Sequence, residues 1–261
     1  MSVSKEMSGH EFVNKLPAIT GAFWFLKITA TTLGETGGDW LSMTMEVGYL
    51  ASTAIFFSFF LFSLLAQLLS RKHRPFLYWS VIVATSTAGT TLSDYMDRTL
   101  GLGYSKGALI LITILFTIMV LWKLSVGTLS VERIQSRKAE VFYWLTILFS
   151  NTLGTALGDF LADDSGLGFL GSWLLISGLL LVILISFKWT SLSRVLLFWC
   201  AFVLTRPFGA TFGDLLTKSA DKGGLDLGTA YASLVLLLIL ILGIALLYPR
   251  KLVISNSPEM G

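Results

Sequence analysis

The 261-residue sequence contains little cysteine, little histidine and few charged residues. A single cysteine, Cys200, excludes an internal disulfide framework. The two histidines, His10 and His73, lie in polar segments, which excludes a zinc, copper or haem site within the apolar part of the chain. Any bound metal would therefore be a hard, oxygen-ligated ion. Charged residues make up 13% of the chain, against about 25% in a soluble domain.

Apolar residues, in contrast, are abundant and occur in long blocks. They make up 54% of the chain, and the mean hydropathy is +0.76. Because a membrane-spanning helix needs roughly 20 apolar residues, we predict an all-α integral membrane protein with eight transmembrane helices. The predicted helices cover residues 17–38, 47–69, 76–94, 106–124, 141–160, 169–187, 194–214 and 228–248.

The sequence repeats one arrangement four times. A tryptophan is followed, fifteen positions later, by an aspartate, and small or polar residues lie between them. Such a repeat predicts four copies of one structural unit, here four parallel two-helix units. The tryptophans are Trp24, Trp79, Trp144 and Trp199.

The repeat divides the chain into two halves. We predict a first half at residues 17–130 and a second half at 141–249, joined by a polar cytoplasmic link at 131–140. Residues 1–16 and 250–261 are predicted cytoplasmic segments. The apolar run after Leu16 is not a cleaved signal peptide, because it contains the first copy of the repeat. Most lysines and arginines fall on the side of the N-terminus, which predicts cytoplasmic termini. We therefore attribute the pI near 9.0 to membrane topology and not to nucleic-acid binding.

Helical geometry places the polar residues of each copy on one face. Positions seven, eleven and fifteen after each tryptophan are four residues apart, so they form a stripe. Because polar groups in a bilayer face a bundle interior or a water-filled cavity, we predict that the odd-numbered helices lie inside and the even-numbered helices outside. The predicted solute or ion path is lined by Lys27, Thr31, Glu35, Asp39, Ser86, Thr90, Asp94, Asn151, Thr155, Asp159, Arg206 and Asp214.

Small residues form a second stripe beside the polar one. Their four-residue spacing is typical of helix faces that approach each other closely, so we interpret these glycines as packing positions. They are Gly34, Gly38, Gly89, Gly154, Gly158, Gly209 and Gly213.

Several residues allow two interpretations. The tryptophans are interpreted as anchors in the membrane interface. The aspartates either form a ring that attracts cations or cap helix ends and loops. In a closed ring of odd-numbered helices, Glu35 and Arg206 would be neighbours, so they are either an internal ion pair or part of a binding site. Pro207 is expected to kink or break its helix.

The four tryptophan-containing units resemble those of a family of bacterial inner-membrane proteins built from four tandem repeats, each with two spans and a tryptophan. The repeat is one of unknown function, and its members are often named membrane-anchored proteins. The resemblance covers residues 17–248 and implies the fold and a bacterial inner membrane. It implies no activity.

The polar stripes favour a membrane transporter or channel for a small solute, with a cation favoured by the acidic residues. Lys27 and Arg206 leave an anionic or zwitterionic substrate open. A non-transporting scaffold or sensor subunit is the alternative, and it predicts paired, dry polar stripes. An intramembrane enzyme is disfavoured because no set of nucleophile, histidine and acid is present. We expect no cofactor, and the lipid bilayer as the main partner.

Overall fold

The computed structural model describes residues 15–70 and 72–248. Most of the predicted cytoplasmic segments at 1–16 and 250–261, together with His10, lies outside these residues. Within the described residues the chain is helical throughout, with eight long α-helices and short π- and 3-10-helical turns. The long helices are α1 Gly21–Asp39, α2 Tyr49–Leu69, α3 Pro75–Asp94, α4 Tyr104–Val126, α5 Arg137–Asp159, α6 Gly168–Trp189, α7 Arg194–Thr217 and α8 Thr229–Leu247.

The predicted link at residues 131–140 is partly helical. Helix α5 begins at Arg137, where the Ser136 hydroxyl accepts a hydrogen bond from the backbone N–H of Ala139. This capping bond supplies a partner for an N–H that the helix itself cannot pair. Glu140 in the first turn is buried, and its carboxylate lies 2.7 Å from the ammonium of Lys15. The start of α5 is thereby joined to the segment that precedes α1.

Three of the odd-numbered helices continue beyond their aspartate. Each adds a five-residue π-helical turn, Trp40–Thr44, Tyr95–Thr99 or Phe160–Asp164. The aspartates at the ends of α1, α3 and α5 therefore lie within continuous helical backbone, and their side chains are buried. The alternative that they cap helices or sit in solvated loops is wrong for these three copies.

Helix α7 runs from Arg194 to Thr217 with Pro207 inside it, so of the kink or break expected at Pro207, the break does not occur. Proline removes one backbone donor from a helix interior. The cost is tolerated here because α7 packs on three other helices, α1, α5 and α6, over its length.

The four odd-numbered helices form a closed ring. Helix α1 packs on α3, α3 on α5, α5 on α7, and α7 on α1 again. Contacts at both ends show that the four helices run in the same direction. At one end Phe23 of α1 lies beside Trp79 of α3, and Trp24 lies beside Phe198 of α7. At the other end Arg98, which follows α3, lies beside Asp159 of α5, and Lys218, which follows α7, lies beside Asp39 of α1.

Glycines allow the close approach at each seam of the ring. The glycine ten positions after each tryptophan faces the polar residue seven positions after the next tryptophan. At three seams a methyl group on the glycine would overlap the facing residue, and at Gly89 it would overlap the backbone nitrogen of Thr152, next to the facing Asn151. The glycine stripe of one helix thus packs on the polar stripe of the next. The facing pairs are Gly34 with Ser86, Gly89 with Asn151, Gly154 with Arg206, and Gly209 with Thr31.

The even-numbered helices cover the outside of the ring, and each packs mainly on the odd-numbered helix of the next repeat, not on that of its own repeat. Helix α2 packs mainly on α3, α4 on α5, α6 on α7, and α8 on α1. Three of them begin after a glycine with positive φ, Gly48, Gly103 and Gly228, a conformation that glycine adopts without strain. The last helix covers the first, so the ring is closed on its outside as well.

Six helices in the described part of the chain are long and apolar enough to cross a membrane, which indicates a multi-pass membrane protein. They are the four even-numbered helices, α5 with its π-turn, and α7. Helices α1 and α3 are not among them, because their polar stripes lower the hydropathy. In both helices the polar side chains are buried against the ring.

The seam geometry predicts a large difference between two glycine substitutions. Gly154→Ala should lower the free energy of unfolding by about 1–3 kcal/mol, because the new methyl group overlaps Arg206 and Pro207. Gly178→Ala on α6 meets no atom within 4 Å and should be neutral or slightly stabilising. Unfolding of the purified variants in detergent would measure both. Equal stability of the two variants would contradict the close seam.

Candidate functional site

The axis of the ring holds three layers of buried side chains. We call them the aromatic layer, around Trp79, Trp144 and Trp199; the central layer, around Arg206; and the carboxylate layer, around the four aspartates. The layers follow one another because each odd-numbered helix carries its tryptophan first, its mid-stripe polar residues next and its aspartate last.

The aromatic layer is a closed circle. The aromatic residue that precedes each tryptophan packs against the tryptophan of the next helix, with ring centroids 5.5 to 6.4 Å apart. The hydroxyls of Tyr78 and Tyr143 lie 2.6 Å apart within this circle. The circle is formed by the pairs Phe23–Trp79, Tyr78–Trp144, Tyr143–Trp199 and Phe198–Trp24.

Three tryptophans are therefore part of the core. Trp79 and Trp144 are fully buried, and Trp199 is 3% exposed. The interpretation of these residues as anchors facing the membrane interface is wrong. Each tryptophan lies on nearly the same helix face as the polar stripe that follows it, so its side chain points toward the axis. There the tryptophans close one end of the ring. Trp24 is the exception, since it is only half-buried.

The central layer is organised around the guanidinium of Arg206. Its Nη2 atom lies 2.9 Å from Glu35 Oε2, 2.7 Å from Thr155 Oγ1 and close to Thr90 Oγ1, so its two N–H groups are shared among three acceptors. These acceptors lie on α1, α5 and α3, so one side chain of α7 contacts the other three inner helices. Arg206 is fully buried. The expected ion pair between Glu35 and Arg206 is confirmed.

A second buried cation lies nearer the aromatic layer. Lys27 Nζ donates to Asn151 Oδ1 at 3.2 Å and lies 4.1 Å from the centroid of the Phe202 ring. The Asn151 amide in turn donates to the hydroxyls of Thr85 and Ser86. Lys27 is fully buried, and its amino group contacts one amide oxygen and one aromatic face.

The carboxylate layer contains two bridging cations. Lys218 Nζ lies 2.7 Å from Asp39 Oδ2 and 3.1 Å from Asp214 Oδ1. On the other side of the ring, Arg98 lies 3.0 Å from Asp94 and 3.4 Å from Asp159. Each cation thus joins neighbouring inner helices. The two side chains are 22% and 32% exposed, whereas the aspartate side chains are at most 4% exposed, so the cations cover the carboxylates.

Lys218 stays charged at neutral pH. It follows the last residue of α7 and is mostly buried, which by itself lowers its pKa. The carboxylates of Asp214 and Asp39 outweigh this effect and raise the pKa of Lys218 above its ordinary value.

Arg98 and Lys218 were not among the residues predicted for the path. Both stand nineteen positions after a tryptophan, and this spacing could have identified them. The first and third copies carry Met43 and Asp163 at that position, so the basic residue recurs only in every second copy.

Three carboxylates of the axis come close enough to share a cation. Oxygen atoms of Glu35, Asp39 and Asp214 lie within 4.8 Å of one another, and all three residues are buried. Carboxylate oxygens are the ligands that hard cations prefer. We call these three residues the carboxylate cluster. In this structure its negative charge is compensated by Arg206 on one side and Lys218 on the other.

All the residues predicted to line the path are buried at the ring. Thr31 and Ser86 lie at the seams that face Gly209 and Gly34; the Thr31 hydroxyl donates to the Thr205 carbonyl, and the Ser86 hydroxyl accepts from Asn151. The other ten take part in the central and carboxylate layers. They are Lys27, Glu35, Asp39, Thr90, Asp94, Asn151, Thr155, Asp159, Arg206 and Asp214.

Comparison with known proteins agrees with the four copies. A family model described as Repeat of Unknown Function (DUF347) matches residues 22–73, 77–128, 142–192 and 197–251. Each matched segment contains one odd-numbered helix and the even-numbered helix after it. Neither curated proteins nor solved structures give a match to this chain.

The central layer predicts strong coupling between Arg206 and Glu35. Arg206→Met should destabilise the fold by about 3–5 kcal/mol, because it leaves a buried carboxylate without its cation. Adding Glu35→Gln to that variant should restore much of the loss. Denaturant titration of the purified protein would measure this double-mutant cycle. Lys106→Met, at an exposed lysine, is the control and should change stability by less than about 0.5 kcal/mol. A double variant as unstable as Arg206→Met would rule out the proposed coupling.

Proposed function

Because the chain belongs to the family of the Repeat of Unknown Function (DUF347), whose description names no activity, we propose a function from geometry. The protein is a membrane transporter for a small cation, and the path follows the axis of the four inner helices. The carboxylate cluster is the observation that carries this proposal. It is an oxygen-only group of buried acids at the centre of a ring of helices, the arrangement that a dehydrated cation requires.

The proposed setting is a bacterial inner membrane that all eight helices cross. In this placement the four two-helix repeats enter with the same orientation and both termini are cytoplasmic. The basic residues of the sequence support the orientation, since they are concentrated at the aromatic-layer end. The exposed apolar side chains of α2, α4, α6 and α8 would then contact lipid. Helices α1 and α3 would be shielded from lipid by α8 and α2.

The charges on the axis favour a monovalent cation or a proton. Five carboxylates, Glu35, Asp39, Asp94, Asp159 and Asp214, stand against four cations, Lys27, Arg98, Arg206 and Lys218. The axis therefore holds one acidic group more than its own basic groups can neutralise. Buried charge without a counter-ion is costly. A proton or a single monovalent ion in the carboxylate cluster would remove this excess.

A carrier fits the closed axis better than a permanently open channel. The aromatic layer closes one end, and Arg98 and Lys218 cover the carboxylates at the other. Movement of Lys218 away from Asp39 and Asp214 would open the cluster to that side. The Lys218 ammonium binds the same aspartates that a transported cation would bind, so an incoming cation can displace it.

A scaffold or sensor subunit is the second candidate. It is favoured by the dense pairing on the axis, where Arg206, Lys27, Arg98 and Lys218 each have a polar partner. The cavities that we describe lie away from the axis, at the aromatic-layer end of α1, α6 and α7. A transport assay decides between the two candidates.

The proposed orientation predicts which loops are accessible from each side. In a Cys200→Ser background, Ser165→Cys lies between α5 and α6 and should react with a membrane-impermeant maleimide added to whole cells. Gln135→Cys, just before α5, should react only after the cells are opened. Both positions are exposed, so access alone decides the result. The reverse pattern would place the termini outside and contradict the orientation.

The proposed transport path predicts a cation flux that depends on the buried carboxylates of the ring, among them Glu35 and Asp159. Purified protein in liposomes should carry protons or sodium down an imposed gradient, reported by a pH-sensitive or a sodium-sensitive dye inside. Glu35→Gln should slow this flux by about tenfold or more, because it removes one of the three charges of the cluster. Asp159→Asn should also slow it.

The matched control is Asp164→Asn, an exposed aspartate five positions after Asp159. It should leave the flux unchanged. If the wild type moves neither cation, or if Glu35→Gln and Asp159→Asn both transport like the wild type, the path is wrong and the scaffold or sensor candidate is favoured.

A further inference from the structure

An apolar groove runs along the outside of the ring between α1, α6 and α7. Its volume is about 550 Å³, and its walls include Trp24 and Ile28 of α1, Leu180 and Leu184 of α6, and Ala201 of α7. Trp24 lines this groove, which explains why it alone among the four repeat tryptophans is only half-buried. Helix α8 covers α1 and helix α6 covers α7, and the groove lies at the seam where the first and last repeats meet.

The groove has the length of one lipid leaflet. It extends along α7 from Arg194 to Thr205. Eleven residues of α-helix span about 16 Å. The hydrocarbon core of a bilayer is about 30 Å thick, so the groove reaches from the membrane surface to about the midplane. That is the depth of a single acyl chain.

The surface end of the groove carries a positive charge. Arg194, at the first turn of α7, is exposed and lies over the Phe187 ring, 4.3 Å from its centroid. It also donates one hydrogen bond to the Phe187 carbonyl. The remaining donors of its guanidinium suit a phosphate group. Smaller cavities continue from this end past Ser130 and Glu132, and the Ser130 hydroxyl can accept a hydrogen bond from a hydroxyl group.

We propose that this groove binds one phospholipid with an anionic, hydroxyl-bearing headgroup of the phosphatidylglycerol type. One acyl chain lies along Trp24 and Leu180, the phosphate pairs with Arg194, and the glycerol hydroxyls face Ser130 and Glu132. The inference rests on the membrane placement proposed above, and it does not depend on transport. Apolar contacts with an acyl chain would bind any phospholipid, so what distinguishes this proposal is the preference for an anionic, hydroxyl-bearing headgroup.

Bromine atoms on acyl chains quench tryptophan fluorescence on contact, which gives a direct test. The protein is placed in vesicles with a small, increasing fraction of brominated phosphatidylglycerol or brominated phosphatidylcholine. The signal of Trp24 is the difference between the wild type and Trp24→Phe. Quenching of Trp24 should reach half of its maximum at a fraction of phosphatidylglycerol about fivefold lower than the fraction of phosphatidylcholine that has the same effect. One basic residue near a membrane surface provides a preference of about this size.

Arg194→Gln should abolish the preference while retaining quenching by both lipids. Lys138→Gln, at an exposed lysine close to the start of α5, should retain the preference and serves as the charge-matched control. Ala201→Phe, which fills the groove, should reduce Trp24 quenching by both lipids. Equal quenching by the two lipids in the wild type, or an undiminished preference in Arg194→Gln, would overturn the proposal. Because no flux is measured, this result is independent of the fate of the transport proposal.

Discussion

The burial of the Arg206 guanidinium constrains the inner ring more than any other interaction. A charge without solvent must be matched by polar partners, and here the partners come from the three other inner helices. Glu35 neutralises the charge, while Thr90 and Thr155 complete the contacts of Nη2. Such contacts require four backbones close to one axis. The glycine stripes meet that requirement, because a larger residue at any seam would force the helices apart.

Much of this arrangement could be predicted from the regular spacing of the repeat. Residues spaced four apart share one face of a helix, and a closed ring makes α1 and α7 neighbours, so a pair between Glu35 and Arg206 could be expected, and the structure contains it. The same geometry places Trp79 and Trp144 close to the inward face. Their depth suggested membrane anchors, but their angular position on the helix decides that they pack inside. Arg98 and Lys218 were harder to identify, because the basic residue recurs only in alternate copies.

The partners of the outer helices could not be predicted from the sequence. Helices α2, α4, α6 and α8 carry no charged residue in their apolar cores, and the few polar side chains that they bury, such as Ser52 of α2 and Ser233 of α8, do not show from the sequence which inner helix each one covers. Before α2, the π-helical turn Trp40–Thr44 and Gly48 set where the chain re-enters the bundle, and α2 then packs on α3. Proline at position 207 was also misleading, since packing on three neighbours keeps α7 continuous.

The alternation of Arg98 and Lys218 makes two repeats, not one, the true symmetric unit of the ring. Each half of the chain holds one bridging cation and covers the other half with its last helix, since α4 packs on α5 and α8 on α1. A chain of only two such repeats would leave one face open and would complete the same ring by pairing with an identical copy. The molecule therefore has the architecture of a fused two-fold dimer, and because both halves belong to one chain, Lys27, Glu35 and Arg206 can differ from the residues at the equivalent positions of the other repeats.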